Sequence, residues 1–308
     1  MYYRTNDLVK IQRYPSSDDD RYTISLPDSE EDYRNSIINN QEYHNKNIVF
    51  IETNIQLNSA SGFSQLIFKT KRLITMISEN HTETWKCPNP SINIAEYVKN
   101  CIVRNPKSKV LLEYNTKHDP SLIGSHSIQE IYNLLKKYNK TTSIIPYDTR
   151  SFFLGDRGQM ELYHYGIENY TKYEIFSNFI EPYFLKLQEN PNLLSLYGDY
   201  DPDIGYYLVN TYVPDIENTF RIIVTYLDTY PVEEIRKMLK DAWLKIADYF
   251  VLKYLLKNDD INEYIIIQGY MHQQNLNNVL KYFMTDMVQT QTGNPDKCVN
   301  LYKTYQFN

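Results

Sequence analysis

KVLLEY at 109–114, SIQEIYNLLKKY at 127–138 and TSIIPY at 142–147 decide the fold of this chain. The first and third are apolar runs of strand length bounded by turn-forming residues. The second sets Ile128, Ile131, Leu134 and Leu135 on one face at helical spacing. Strand, helix, strand over so short a span makes the two strands parallel, because parallel neighbours need a crossover that is usually helical. Upstream, FSQLIFK (63–69) and LITMI (73–77) are strand-like. After Pro88 and Pro90, Ser91 is placed to N-cap a helix carrying Ile94, Tyr97, Val98 and Cys101. Downstream, EYIIIQ (263–268) precedes a helix through Leu276, Val279, Leu280 and Phe283. NIVFI (47–51) and 296–302 can add strands. The expectation is an α/β fold: a mixed, largely parallel sheet flanked by helices.

Residues 161–258 break the alternation. They are mostly helical, most clearly at 173–187 and 232–256, around a turn-rich segment at 197–203, and read as a helical insertion forming a lid or wall. Residues 14–46 are polar and acidic, with Asp18, Asp19, Asp20, Glu30, Glu31 and Asp32, and hold too few apolar groups to order themselves alone. The organisation so read is an acidic arm (1–46), a first α/β half (47–160), the insertion (161–258) and a second half (259–308) completing the same domain.

A chain of 308 residues with 42% apolar content can build a large core. Its net charge of -6, with scattered Lys and Arg, provides no footprint for nucleic acid. No segment approaches the roughly 20 apolar residues of a membrane helix, and the amino terminus has no signal-type apolar region. Cys87, Cys101 and Cys298 form no Cys-x-x-Cys pair and are odd in number, so neither a disulfide nor a thiolate zinc site is expected, and a reducing cytoplasm fits. The richness in Tyr, Asn, Ile and Lys is that of an AT-rich genome such as a large DNA virus or a protozoan, which would place the chain in host cytoplasm or a virion.

Two distant segments share one form: ITMISENH at 74–81 and IIIQGYMH at 265–272. Each is an apolar strand followed by a small residue, two others and a histidine. Strand ends are where open α/β sheets bind ligands. His81 and His272 lie there, as do Glu79, Glu113 closing VLLE, and Asp148 and Arg150 after SIIPY. A small residue at Ser78 and Gly269 would let the chain turn sharply. Two imidazoles and one or two carboxylates in one crevice can hold a divalent metal and acidify its water. Alternatively, a histidine can act as general base while Arg150 stabilises an oxyanion.

These residues resemble the paired Gly-x-x-His motifs of the TraB/Tiki superfamily. Glu-x-His within SENH is similar to the opening of its ChaN-like haem-binding branch and is related to a Glu and His of its erythromycin-esterase branch. Glu113 matches a glutamate that ends the next strand in these families. The resemblance spans 73–150 and 263–283, with Ser78 standing where the family prefers Gly. It implies an erythromycin-esterase/ChaN-like fold and a hydrolase of amides or esters, using Glu79, His81, Glu113 and His272 with Asp148 and Arg150. It further implies either a metal (manganese, zinc or cobalt) on His81, His272 and Glu113 or, in the ChaN-like case, haem. The substrate would be a small molecule or peptide. The alternative is a relative without catalysis, kept as a structural or interaction protein.

Overall fold

A computed structural model describes residues 10–12, 23–25, 48–68, 72–79, 87–88, 90–114, 125–257, 260–291 and 298–307. The chain divides into two compact units, Met1–Lys46 and Asn47–Asn308. In the first, β1 (Lys10–Gln12) and β2 (Thr23–Ser25) pair antiparallel.

The second unit is α/β. Its early elements are β3 (Ile48–Asn58), β4 (Ala60–Phe68), β5 (Arg72–Glu79), β6 (Ser91–Asn93), α1 (Ile94–Arg104), β7 (Lys109–Leu112), α2 (His126–Lys137) and β8 (Ile144–Pro146). The helical region comprises α3 (Arg150–Met160), α4 (Lys172–Ile175), α5 (Glu181–Glu189), α6 (Pro202–Tyr207), α7 (Val213–Tyr226) and α8 (Val232–Leu255). It is punctuated by π-helical turns at Glu161–Tyr165, Phe176–Ile180 and Leu208–Tyr212. β9 (Glu263–Gln268), α9 (Tyr270–Leu280), β10 (Met284–Gln291) and β11 (Val299–Phe307) complete the chain.

Six strands form one sheet in the order β10-β4-β5-β9-β7-β8. β5, β9, β7 and β8 run parallel, and the β4–β5 and β10–β4 pairings are antiparallel. The mixed, largely parallel sheet expected from the alternation is therefore present. β9, the strand furthest along the chain among the parallel four, sits between β5 and β7, so three carboxyl ends meet in mid-sheet. The helices divide at this point. α1 and α2 cover the face of Ile77, Val110, Leu112, Ile265 and Ile267. α9 and the helical region cover the opposite face, of Met76, Leu111 and Ile266. Helices leaving neighbouring strands toward opposite faces mark the carboxyl edge as the place where open α/β sheets bind ligands.

Several local expectations are corrected. Asn93, not Ser91, caps α1, accepting from the Glu96 amide at 2.7 Å, because Ser91 is held in β6 beside Gln56. The helical region begins at Arg150 rather than 161, and Phe283 lies beyond the end of α9. Within NIVFI, Ile48–Ile51 open an eleven-residue strand. That strand, β3, pairs with β11 and β6 in a separate three-stranded sheet, so the last strand does not edge the main sheet. β10 carries no alternation that a periodicity reading would catch, and it pairs with β4.

Cys87 and Cys298 form a disulfide with Cα atoms 5.8 Å apart, against the expectation that none would form. They are 211 residues apart in sequence, and only the sheet pairing brings them together. Val299 pairs with Leu57, and the Cys87 amide donates to Asn58 Oδ1 at 3.0 Å, placing both cysteines at one end of β3. Cys101 is the free, buried thiol. An odd count hid a pair plus a single, and the inference to a reducing compartment loses its support.

Candidate functional site

Four elements meet at the carboxyl edge. β7 delivers Glu113, the loop after β8 delivers Asp148 and, at the start of α3, Arg150, and α9 delivers His272 in its first turn. α8, from the helical region, delivers Asp248. Glu113, Arg150, Asp248 and His272 are all buried, and charged groups so placed persist only when paired.

The pairing is dense. Arg150 donates through Nη2 to Glu113 Oε1 at 2.5 Å and to Asp148 Oδ2 at 3.0 Å, and through Nε to Asp148 Oδ1 at 2.9 Å. Gln159 donates to Asp148 Oδ2 at 2.9 Å, and the Tyr163 ring lies under the guanidinium, 5.0 Å to its centroid. The Gly269 amide donates to Glu113 Oε2 at 2.8 Å. His272 stands between two carboxylates. Nδ1 bonds Asp248 Oδ1 at 2.6 Å. Nε2 lies 3.2 Å from Glu113 Oε1, close enough for an ion pair, yet outside hydrogen-bond alignment. Asn275 donates to the far oxygen of Asp248 at 2.5 Å and to the Tyr212 hydroxyl at 3.2 Å.

These contacts set the protonation states. Burial pulls the His272 ring down, but Glu113 and then Asp248 outweigh it and lift the pKa from 6.5 to about 10. The ring is an imidazolium at neutral pH. Asp248 is raised as well, since its complete burial exceeds what His272 and Asn275 return. Both partners shift upward, which favours the charge on His272, faced by two anions, and disfavours it on Asp248, where burial outweighs one cation. Burial would raise Asp148 too, but Arg150 overcomes it and holds the carboxyl below its ordinary value. Burial, then Glu113, pushes the Tyr147 phenol well up, so it stays neutral.

Of the six expected site residues, the structure joins Glu113, His272, Asp148 and Arg150 in one network. Asp148 and Arg150 form an ion pair at the loop end, and through Arg150 that pair also grips Glu113. Glu79 is buried at the end of β5, accepting from Ser125 Oγ at 2.6 Å. His81 lies outside the described residues, as does the adjoining Asn80. The expected small-residue turns are corrected. Ser78 is inside β5, bonded by Ser61 Oγ at 3.1 Å, and Gly269 has φ -68° and ψ 157°, a conformation open to any residue. What Gly269 provides is its amide.

Asp248, Gln159, Asn275 and Tyr147 were missed. Asp248 carried a signal: in IADYFVL (246–252) it is the one charge within an otherwise apolar run, and a carboxylate there needs a buried partner. The helical insertion is thus more than a wall, because it supplies the group that orients His272.

For the expected metal, the described members are His272 and Glu113. Arg150 and the imidazolium already occupy Glu113 Oε1, and among the described residues no group of three or more His, Cys, Asp or Glu is arranged to hold an ion. This part of the set does not by itself fit a metal. Elsewhere, a cleft of about 480 Å³ is lined by Leu154, Arg157, Glu161, Tyr170, Glu174 and Asn178 among others. It contains none of the charged network, and the chemistry belongs to the network. No helix among the described residues is long and apolar enough to cross a membrane. No protein-family model matches the chain, and no curated protein or solved structure is significantly similar to it.

Proposed function

We propose that the chain is a hydrolase acting on an amide or ester of a small molecule or peptide at the carboxyl edge of its sheet. One observation carries this: Asp248 fixes His272 through Nδ1 while Nε2, with no well-aligned hydrogen bond among the described residues, faces Glu113 at 3.2 Å. A histidine oriented by a carboxylate, with its other nitrogen aimed at a second functional group, is the geometry of acid–base catalysis. The resemblance of SENH and GYMH to the TraB/Tiki and erythromycin-esterase motifs points the same way.

Because His272 rests as the imidazolium, it serves as acid rather than as the initial base. Glu113 takes a proton from water as the water oxygen bonds the carbonyl carbon, and the carbonyl electron pair moves to oxygen, steadied by the imidazolium. The oxyanion collapses, the carbon–nitrogen or carbon–oxygen bond breaks, and the leaving group takes its proton from His272. Glu113 then returns its proton to Nε2, restoring both groups. Arg150, bound to Asp148 and Glu113, positions Glu113 rather than meeting the oxyanion. His81 keeps its place in the proposal as the second histidine. A manganese, zinc or cobalt ion on His81, His272 and Glu113 would supply an acidified water, at the cost of displacing the imidazolium proton.

The test is a panel of ester and peptide substrates with and without added manganese or zinc, using wild type, His272→Ala and Glu113→Gln, alongside metal analysis of the purified protein. Loss of about 100-fold or more in each variant is expected. Undiminished turnover in a folded variant, or no turnover by wild type under every condition, overturns the proposal.

A second reading has its own support. Arg150, Glu113, Asp148, Asp248 and His272 largely satisfy one another, as a structural ion network does. The chain would then be a non-catalytic structural or interaction protein, such as a virion component. In that case both variants lose stability, and wild type hydrolyses nothing. Haem binding is tested by titration, with an absent Soret shift dismissing it. For compartment we propose one in which the Cys87–Cys298 bridge survives, such as a virion, rather than reducing cytoplasm.

A further inference from the structure

One row of side chains at the carboxyl edge of the six-stranded sheet is polar across its width. The register sets Gly62 beside Ser78 and Ser78 beside Gln268. The Glu113 amide bonds the Ile267 carbonyl at 3.3 Å, and the Tyr147 amide bonds the Leu112 carbonyl at 3.2 Å, continuing the row through Glu113 to Tyr147. Alternation along β5 and β9 puts Ser78 and Gln268 on the face of Met76 and Ile266, which α9 covers. From α9, Gln273 donates to Ser64 Oγ at 3.1 Å and to the Met76 carbonyl at 3.3 Å, and Asn277 accepts from Ser64 Oγ at 3.1 Å. Gly62 permits this approach: a Cβ there would collide with Gln273 Oε1 and lie 2.6 Å from Ser78 Oγ.

Gln268 stands apart within the row. It is completely buried, and neither its Oε1 nor its Nε2 has a hydrogen-bond partner among the described residues. Tyr147 Oη, Gln273 Oε1 and Asn277 Nδ2 are also without one. Burying such an atom without a partner is costly. Tyr264 and Ile266, alternating with Gln268 along β9, show that this face accepts large apolar side chains. A carboxamide held there with both polar ends unpaired, adjoining Glu113 and preceding the Gly269 amide that binds Glu113, is arranged to receive a partner.

We propose that Gln268 is the specificity-determining residue of this site and that it recognises a primary carboxamide of the ligand. Gln268 Oε1 accepts the ligand's N–H, and Nε2 donates to its C=O, a complementary pair that one primary carboxamide satisfies because it carries an N–H on the same side as its C=O. An ester of the same shape has no N–H and leaves Oε1 unpaired. The biological sense rests on the hydrolase proposal, but recognition needs no turnover.

The experiment therefore measures binding: propanamide and methyl acetate, an amide and an ester of equal size with no other polar group, titrated by NMR into wild type and Gln268→Met, with melting temperatures recorded in parallel. Wild type should bind the amide at least about tenfold more tightly than the ester. Gln268→Met should lose that preference while melting no lower, because an unpaired buried amide is replaced by an apolar chain of similar size. Gln268→Leu provides the same comparison should the Met variant not fold. Equal affinity of wild type for the two probes, a preference that survives in either variant, or a melting point several degrees lower in both overturns the inference. If the Gln268-dependent preference is present and wild type hydrolyses neither esters nor peptides, the recognition site stands and the hydrolase proposal falls.

Discussion

Asp248→Asn tests the site most directly. Asp248 Oδ1 meets His272 Nδ1 at 2.6 Å with Asp248 completely buried. The rise of the His272 pKa from 6.5 to about 10 corresponds to a preference of about 5 kcal/mol for the charged ring. Glu113 and Asp248 both sustain that rise, so removing one charge should return the inflection to roughly 6–8. Breaking one partner of a buried pair costs about 3–5 kcal/mol, which for a unit of this size lowers the melting temperature by roughly 6–20 °C. The sign of the pH dependence follows from the raised value. The stabilisation is fully present below 6.5 and is lost as pH rises through about 10. The melting gap between wild type and variant should therefore be widest near about pH 6 and narrow toward about pH 10. Carbon-detected NMR of the His272 ring supplies the assay. Wild type should show no inflection from about pH 5 to 8.5, and the variant should show one. A wild-type ring titrating near 6.5, or a variant ring still protonated at about pH 9, would refute the paired-imidazolium geometry.

Gly62→Ala should destabilise by about 1–3 kcal/mol through the collision with Gln273 and Ser78, measured by chemical denaturation. Cys298→Ser, or reduction, opens a 211-residue span and should cost up to about 4–5 kcal/mol; a peptide map without reductant should show Cys87 joined to Cys298. Glu263 is buried, bonded by Ser108 and Asn105, and raised chiefly by burial. Its contribution is therefore present at acid pH and lost as pH climbs past its ordinary value, so Glu263→Gln should flatten the fall in stability as pH rises above that value, read by denaturation across pH.

The legible parts of the fold were those where one strand or helix buries its own pattern. EYIIIQ is buried along its whole length, and a continuous apolar run of that length states a central strand directly. α1 and α2 announced themselves by spacing. What could not be read locally was the placing of β9 between β5 and β7, because strand order is a property of crossovers and not of any one strand's composition. The same holds for β3 and β11, whose pairing across the length of the chain also makes the disulfide. Cysteine counting failed because proximity at 211 residues' separation is decided by that pairing.

The site divides along the same line. Glu113, Asp148, Arg150 and His272 were visible because chemistry at a strand end has a local signature: an apolar run, then a charged or titratable residue. Asp248 and Gln268 belong to a different kind of evidence. Each is a polar residue where its neighbours are apolar, and its meaning depends on what faces it across the core. Asp248 found His272 and acquired a partner, whereas Gln268, on the strand that leads into the same helix, found none. A fold that holds three carboxylates, two cations and an unpaired carboxamide along one buried edge carries a standing cost that apolar residues would avoid. Structure alone explains the paired members through their mutual contacts. It leaves Gln268 unexplained, and a ligand with an amide's complementary donor and acceptor removes that remainder.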